Sequence, residues 1–387
     1  MTTNHIENIK SHGMGKDAVE RTWMTMNMEE VTQLLSFFPQ FNEVTTLLWH
    51  SPRPFSSATI ALIDGEKYFI KRHSRDIRDV EGLKEEHGIL SHLYKQGLPV
   101  SEVVTGADKN TAFTIGEWTY EIHLLGTGVD VYQDAVSWSP FMSDKHAFAA
   151  GEMLAKMHLA SSSYDAPERK VRPLVSCFEI WNTEDPIEAT KKFAKSRPGL
   201  ARYLAGRDWE LDFQQELFPF YKKFVPYMKK LRPLWTHNDW HASNLLWTDH
   251  SFNAEVSMVL DFGLSNVTSA VYDLATALER NVVTWLEMET DKDNLVHFQD
   301  VKALLEGYTS VRSLSETEKQ ALLTILPIVH TDFALSEIDY FVRITKSNED
   351  ADLAYYTFLL GHAKWFNSLQ GKQLLKEVVN TLSPNTY

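Results

Sequence analysis

Apolar residues recur at two periods along this chain, and the switches between them mark out its elements. Asn27 followed by Glu30 opens a helix through Leu35, the two residues spaced as a capping box. Thr45 to His50 reads as a strand and Ser51 to Ser57 as a loop. Ala58 to Ile63 and Glu66 to Arg72 are strands around Asp64-Gly65, a strong hairpin signal. The period then lengthens: Val80, Leu83, Leu90, Leu93 and Tyr94 fit one helical face from Val80 to Gln96, and Gly97 with Pro99 ends it. Short strands resume at Val103-Val104, Ala112 to Ile115 and Thr119 to Leu125. A second clear helix runs from Asp144 to Ala160, with Ser143 or Asp144 as its cap and His158 as a core histidine. Residues 161–230, punctuated by prolines, read as an insertion whose helices flank a substrate site. The C-terminal third is helical, with Ser315 and Glu318 as a capping box and an aromatic run from Phe333 to Trp365.

One stretch carries the chemistry. Thr236 to Leu264 holds three oxygen acceptors: Asp239, Asn244 five positions on, and Asp261 directly before Phe262-Gly263. Asp239 and Asn244 precede the apolar Leu245-Leu246-Trp247, and Asp261 follows the apolar Met258-Val259-Leu260. Two strand ends joined by a turn bring all three onto one edge. A carboxylate that receives a proton, beside an amide and a second carboxylate suited to a hard cation, is what phosphoryl transfer requires.

His237-Asn238-Asp239-Trp240-His241-Ala242-Ser243-Asn244 matches the kinase catalytic-loop pattern H-x-D-x-x-x-x-N, and Asp261-Phe262-Gly263 matches D-F-G. On these motifs the chain resembles the aminoglycoside phosphotransferase and choline kinase family, the branch of the protein-kinase-like fold that acts mostly on small molecules. The resemblance implies an α+β, bilobal fold. An extension, 1–26, precedes a small lobe, 27–124, with a five-stranded antiparallel sheet and one helix. A larger, mainly helical lobe, 125–387, follows.

It also implies roles. Asp239 orients the acceptor hydroxyl and takes its proton, while Asn244 and Asp261 bind Mg²⁺. Lys71 neutralises the phosphates of ATP or GTP and pairs with Glu86, although the adjacent Glu85 shares the helix phase. Ser56 and Ser57 stand near the phosphates in a loop without the glycines of a protein kinase. Glu121 and His123 lie in a crossing between lobes whose backbone meets the adenine edge. His237 shapes the loop, and Asp273 braces it from a helix start. Glu279-Arg280-Asn281 reads as a surface salt-bridge cluster or as cleft-facing, and Glu279, Asp332 and Glu337 are candidate contacts to a cationic or polyhydroxy substrate.

Composition narrows the partners. The 387 residues are 43% hydrophobic, enough for two cores, and the net charge of −14 argues against nucleic acid as a partner. Cys177 is the single cysteine, which excludes an internal disulfide. The polar N-terminus lacks a signal peptide's apolar core, and Pro327 interrupts the longest apolar run, so a cytoplasmic enzyme without a membrane partner is expected. Its partners are then a nucleotide and a small-molecule hydroxyl acceptor. Asn238 stands where protein kinases carry Arg, and no A-P-E follows the D-F-G, which favours that acceptor over a protein Ser/Thr kinase of the same fold. A nucleotide-binding protein without turnover is the further alternative.

Overall fold

The computed structural model describes residues 23–51, 56–135, 138–170, 173–288 and 294–383. Five strands form one antiparallel sheet in the order β1-β2-β3-β5-β4: β1 Val44–His50, β2 Ser57–Ile63, β3 Glu66–Ser74, β4 Phe113–Ile115 and β5 Trp118–Leu124. Asp64 and Gly65 make the β2–β3 turn with φ of 49° and 88°, a left-handed pair that Asp tolerates and Gly adopts freely. Val103-Val104, expected as a strand, contributes only a bridge from Val103 to His123.

Helix α1, Met28–Leu35, turns Val31, Leu34 and Leu35 onto one face of the sheet, where Ile70, Tyr120 and Ile122 meet them. Asn27 caps it by accepting from the Glu30 N–H, but the reciprocal half of the expected box is missing. Glu30 instead accepts from Arg72 at 2.7 Å and from the Tyr120 hydroxyl, tying α1 to the sheet. Part of the expected extension also packs here: Met26 is buried and Trp23 meets Trp118 edge-on. Residues 1–22 lie outside the described residues.

Helix α2, Val80–Lys95, covers the opposite side and joins a different core. Ile89, Leu90 and Leu93 pack with the large cluster of the C-terminal region. That cluster is built around α3, Asp144–Ser161, capped by Ser143. Helices α4 to α7 follow at Pro186–Lys195, Pro198–Leu204, Trp209–Asp212 and Phe218–Met228. Two strand pairs then place the loops of interest: β6, Pro233–Thr236, pairs with β9, Asn266–Ser269, and β7, Leu245–Trp247, pairs with β8, Val256–Val259. The chain continues through α8, Ala270–Asn281, α9, Phe298–Val311, α10, Glu316–Ile325, and α11, Thr331–Tyr340.

The α3–α9 crossing is closer than side chains permit. A Cβ on Gly151 would stand 2.0 Å from the Leu304 carbonyl oxygen, and one on Gly307 would stand 2.0 Å from that of Phe148. Glycine on both helices lets the backbones touch.

Pro327 does not break the helical run as expected. Glu316–Thr345 continues through it, long and apolar enough to cross a membrane, but its most apolar window is 89% buried within the protein. Pro327 opens a tight turn, Leu326–Ile328, where its missing N–H costs nothing. The run's hydropathy is that of a core helix.

Candidate active site

Antiparallel pairing fixes the edge on which the acceptors gather. Asp239 and Asn244 lie between β6 and β7, and Asp261 directly follows β8 and Leu260. The loop opens in a strained conformation, with Asn238 at φ 64°, a region Asn tolerates better than most residues. Its side chain holds the loop to the segment after the D-F-G: Oδ1 accepts from Thr236 and Thr268, and Nδ2 donates to the Leu264 carbonyl at 3.3 Å. Asp273, near the start of α8 and fully buried, accepts the N–H groups of both His237 and Asn238 at 2.8 Å. His158 of α3 reaches the same carboxylate at 3.0 Å, and Tyr308 of α9 reaches His158 at 2.7 Å.

His237 is a single tautomer. Its Nδ1 accepts from the Asp239 N–H, so Nε2 carries the proton and donates to the Leu260 carbonyl at 2.8 Å. One neutral imidazole thereby links the loop to the residue before Asp261.

Asp239 is nearly enclosed. Asn244 Nδ2 lies 3.2 Å from it, Arg280 Nε 3.4 Å and His241 Nε2 3.5 Å. Burial works against its charge, but Arg280 and then His241 outweigh burial and hold the carboxyl well below the usual carboxylate range. Asp261, at φ 55°, pairs with Lys71 Nζ at 3.1 Å. Burial opposes both charges of that pair; for Asp261 the ammonium prevails and lowers its pKa, and for Lys71 the carboxylates prevail and raise it.

An oxygen-seeking cation fits what remains. Asn244 turns its NH₂ toward Asp239 and so leaves its carbonyl oxygen outward. Asp261 uses Oδ1 for Lys71 and the Gly263 N–H, which leaves Oδ2, and the side chain is half exposed. Two oxygen donors with room for water and phosphate oxygens match the habit of Mg²⁺.

Two expected placements are corrected. Glu86 meets Arg169 Nη2 at 3.7 Å, and Glu85 meets Arg169 Nε at 3.8 Å, so the expected Lys71–Glu86 pair gives way to Lys71–Asp261. Arg169 comes from the proline-rich stretch and also donates to carbonyls of Gly82, Gly263 and Ser265, joining α2 to the D-F-G segment. Glu121 and His123 do not form the crossing between lobes. They sit within β5, opposite Lys71 and Phe69 of β3, while Ile122 and Leu124 bond Val104 and Glu102 on the other side. The Glu121 carboxylate is buried among three imidazoles, His73 and His123 at 2.9 Å and His87 at 2.6 Å. The backbone leaves the sheet only after Leu124.

Ser57 starts β2 opposite Arg72 and is buried; Ser56 precedes it, and residues 52–55 of that loop lie outside the described residues. The three candidate substrate carboxylates separate. Glu337 and Glu279 lie close enough to Asp239 and Arg280 to share one field, whereas Asp332 sits against the Cys177 thiol at 3.5 Å, near Arg197. Glu279 bonds His362 at 2.7 Å. Of the two readings the sequence left open for Glu279-Arg280-Asn281, surface cluster or cleft-facing, the buried Arg280 beside Asp239 fits the second.

Comparison with known proteins places the chain in a family. The profile of the family described as "Phosphotransferase enzyme family" matches residues 52–314. The homoserine kinase of Brucella abortus (strain S19) is 27% identical over 253 residues, 65% of this chain and 66% of that protein, just under two thirds of its length. A microcompartment-associated aminopropanol kinase superposes with a TM-score of 0.60 at 15% identity, covering 91% of this chain and 99% of the other. An amicoumacin kinase, described in complex with AMP-PNP and Ca²⁺, gives 0.59 at 15% identity, covering 88% and 93%. These two share the protein-kinase-like fold with this chain. The profile match spans more than half of the sequence and includes both motifs, and the chain belongs to the phosphotransferase enzyme family.

Proposed function

We propose that this chain transfers the γ-phosphoryl group of a nucleoside triphosphate, ATP or GTP, to a hydroxyl of a small molecule. The observation that carries the reading is the convergence of Asp239, Asn244, Asp261 and Lys71 on one edge, each with an unspent donor or acceptor or an exchangeable ion partner. Lys71 neutralises phosphate oxygens once it exchanges Asp261 for them. Asn244 and Asp261 hold Mg²⁺, and that ion supplies charge neutralisation across the phosphates when bound. Asp239 orients the acceptor hydroxyl and accepts its proton, while His237, Asn238 and Asp273 fix the loop that presents it. Positioning and electrostatics supply the catalysis, since little covalent work falls to the protein.

A small acceptor fits better than a protein. Only the short β9 separates the D-F-G segment from α8, and Asn238 ties down Leu264, so the chain carries no long loop there to cradle a peptide. The test is ADP and GDP release across a panel of hydroxyl acceptors, with Mg-nucleotide binding followed by calorimetry. Asp261→Ala should abolish Mg-dependent nucleotide binding; undiminished binding would remove Asp261 from the metal site.

A further inference from the structure

One side chain, Arg169, touches both α2 and the segment that carries Asp261, and no motif in the sequence announces it. Asp261 stands at φ 55°, a left-handed conformation that is strained for a residue with a side chain and persists only where its surroundings impose it. Here the surroundings act through Gly263, two residues on. The Gly263 N–H donates to Asp261 Oδ1 at 3.3 Å, and the Gly263 carbonyl accepts from two guanidiniums, Arg78 Nη2 at 2.8 Å and Arg169 Nη1 at 3.1 Å. Both arginines are buried. Arg169 Nη1 also donates to the Ser265 carbonyl at 3.2 Å, and the Arg169 backbone N–H donates to Asn266 Oδ1 at 2.7 Å.

The same guanidinium turns its other side to α2. Its Nη2 donates to the Gly82 carbonyl in the first turn at 3.1 Å and lies 3.7 Å from Glu86, while Nε lies 3.8 Å from Glu85. A buried cation needs a counter-charge, and these two carboxylates supply it. A planar fork with donors on both edges serves the helix and the D-F-G segment at once, which the single point charge of a lysine does not. Lys71 pairs with Asp261, so the helix acids are left to Arg169.

On the phosphoryl-transfer reading above, we propose that Arg169 is a positioning residue that makes the metal affinity of Asp261 depend on α2. Glu85 and Glu86 anchor the guanidinium, and the guanidinium fixes the Gly263 and Ser265 carbonyls. Those carbonyls hold Asp261 in the conformation that leaves Oδ2 for Mg²⁺. When α2 lets go of the guanidinium, the D-F-G segment relaxes and the carboxylate no longer presents that oxygen. The metal ligand is thereby set from the small lobe by two acids that are not metal ligands themselves.

The test compares the full chain with Arg169→Met, Arg169→Lys and the double variant Glu85→Gln/Glu86→Gln. In metal-free protein, hydrogen exchange across 260–266 should quicken by about tenfold or more in each variant, while α3 and α9 keep their protection. Calorimetry of ATP binding against Mg²⁺ should show the half-saturating Mg²⁺ concentration rising by about 10- to 100-fold, with metal-free ATP binding through Lys71 within a few-fold of the unaltered chain. ADP release should recover at saturating Mg²⁺. The proposal falls if the Mg²⁺ dependence and the exchange of 260–266 stay as in the unaltered chain. It falls equally if α3 loses protection and ATP binding weakens alike with and without Mg²⁺, the mark of an arginine that only holds the fold together. Should Arg169→Met fail to fold, the lysine and glutamine variants make the same comparison. An unaltered chain that binds no Mg-ATP overturns the phosphoryl-transfer reading, whereas one that binds it beside variants with unshifted Mg²⁺ dependence overturns only the role of Arg169.

Discussion

Asp239 is held ionised by its neighbours, and a carboxylate so stabilised is a weak base. In the proposed transfer its first contribution would be to orient the hydroxyl, with proton transfer following as charge moves to phosphorus. Asp239→Ala should lower kcat by roughly 10² to 10⁴, the range for a positioned base, with the KM for ATP within a few-fold. ADP release under saturating acceptor checks this, and unchanged turnover would remove the residue from the chemistry. Because its folded pKa is depressed, the stability its charge contributes is present above the usual carboxylate pKa and lost only as pH falls below that range. At this scale the sequence was informative where residues stand beside their own punctuation: Asp239, Asn244 and Asp261 are legible from motif spacing, and Lys71 from its place at the end of a hairpin. Glu86 was legible as a helix face but not as a partner of Arg169, because helix phase says nothing of a guanidinium arriving from another element. Arg280 resembled a surface ion because the rings that bury it, Trp138 and Phe333, come from far along the chain.

Among the elements, α11 divides its polar residues between two duties. Glu337 faces the catalytic loop, while Asp332 turns to Cys177, and Asp339 accepts the N–H groups of Gly199 and Leu200 at the start of α5. Read along the chain, these acids form one cluster; only the packing of α5 against α11 separates cap from site. The β5 strand gives a similar lesson, since polar residues alternating inward look like a strand's end until three imidazoles are found around Glu121. Helices α1 and α2 and the β2–β3 hairpin were legible because their caps and turn are local. Helix α9 carries a titratable weakness in its first turn. Burial, with Asp144 nearby, pushes Asp300 up to about 7. A raised carboxyl binds protons in the folded state that the unfolded chain has released, so stability falls as pH rises from about 4 to 7. Asp300→Asn should therefore stabilise the protein by about 1 to 2 kcal/mol at pH 8, after allowance for solvent screening, and change little at pH 4. Thermal melts at the two pH values read the difference.

Across the whole molecule, two cores meet at α2, whose inner face belongs to the larger one while the sheet beside it packs on α1. The catalytic loop is tied into the larger core through Tyr308, His158 and Asp273, a line that starts on α9, crosses α3 and ends on two loop N–H groups. The same two helices touch backbone to backbone at Gly151 and Gly307. Gly307→Ala should force them apart, costing about 1 to 3 kcal/mol of stability in urea unfolding. It should also lower kcat while leaving the KM for ATP in place, since Lys71 hangs from the other lobe. That pairing of helix seam and loop makes the crossing a ruler. Its setting is the thickness of two bare backbones, and Asp239 hangs at the far end of the measure. An added methyl there is read out as a misplaced carboxylate, so turnover would report the spacing of two helices that touch neither nucleotide nor acceptor.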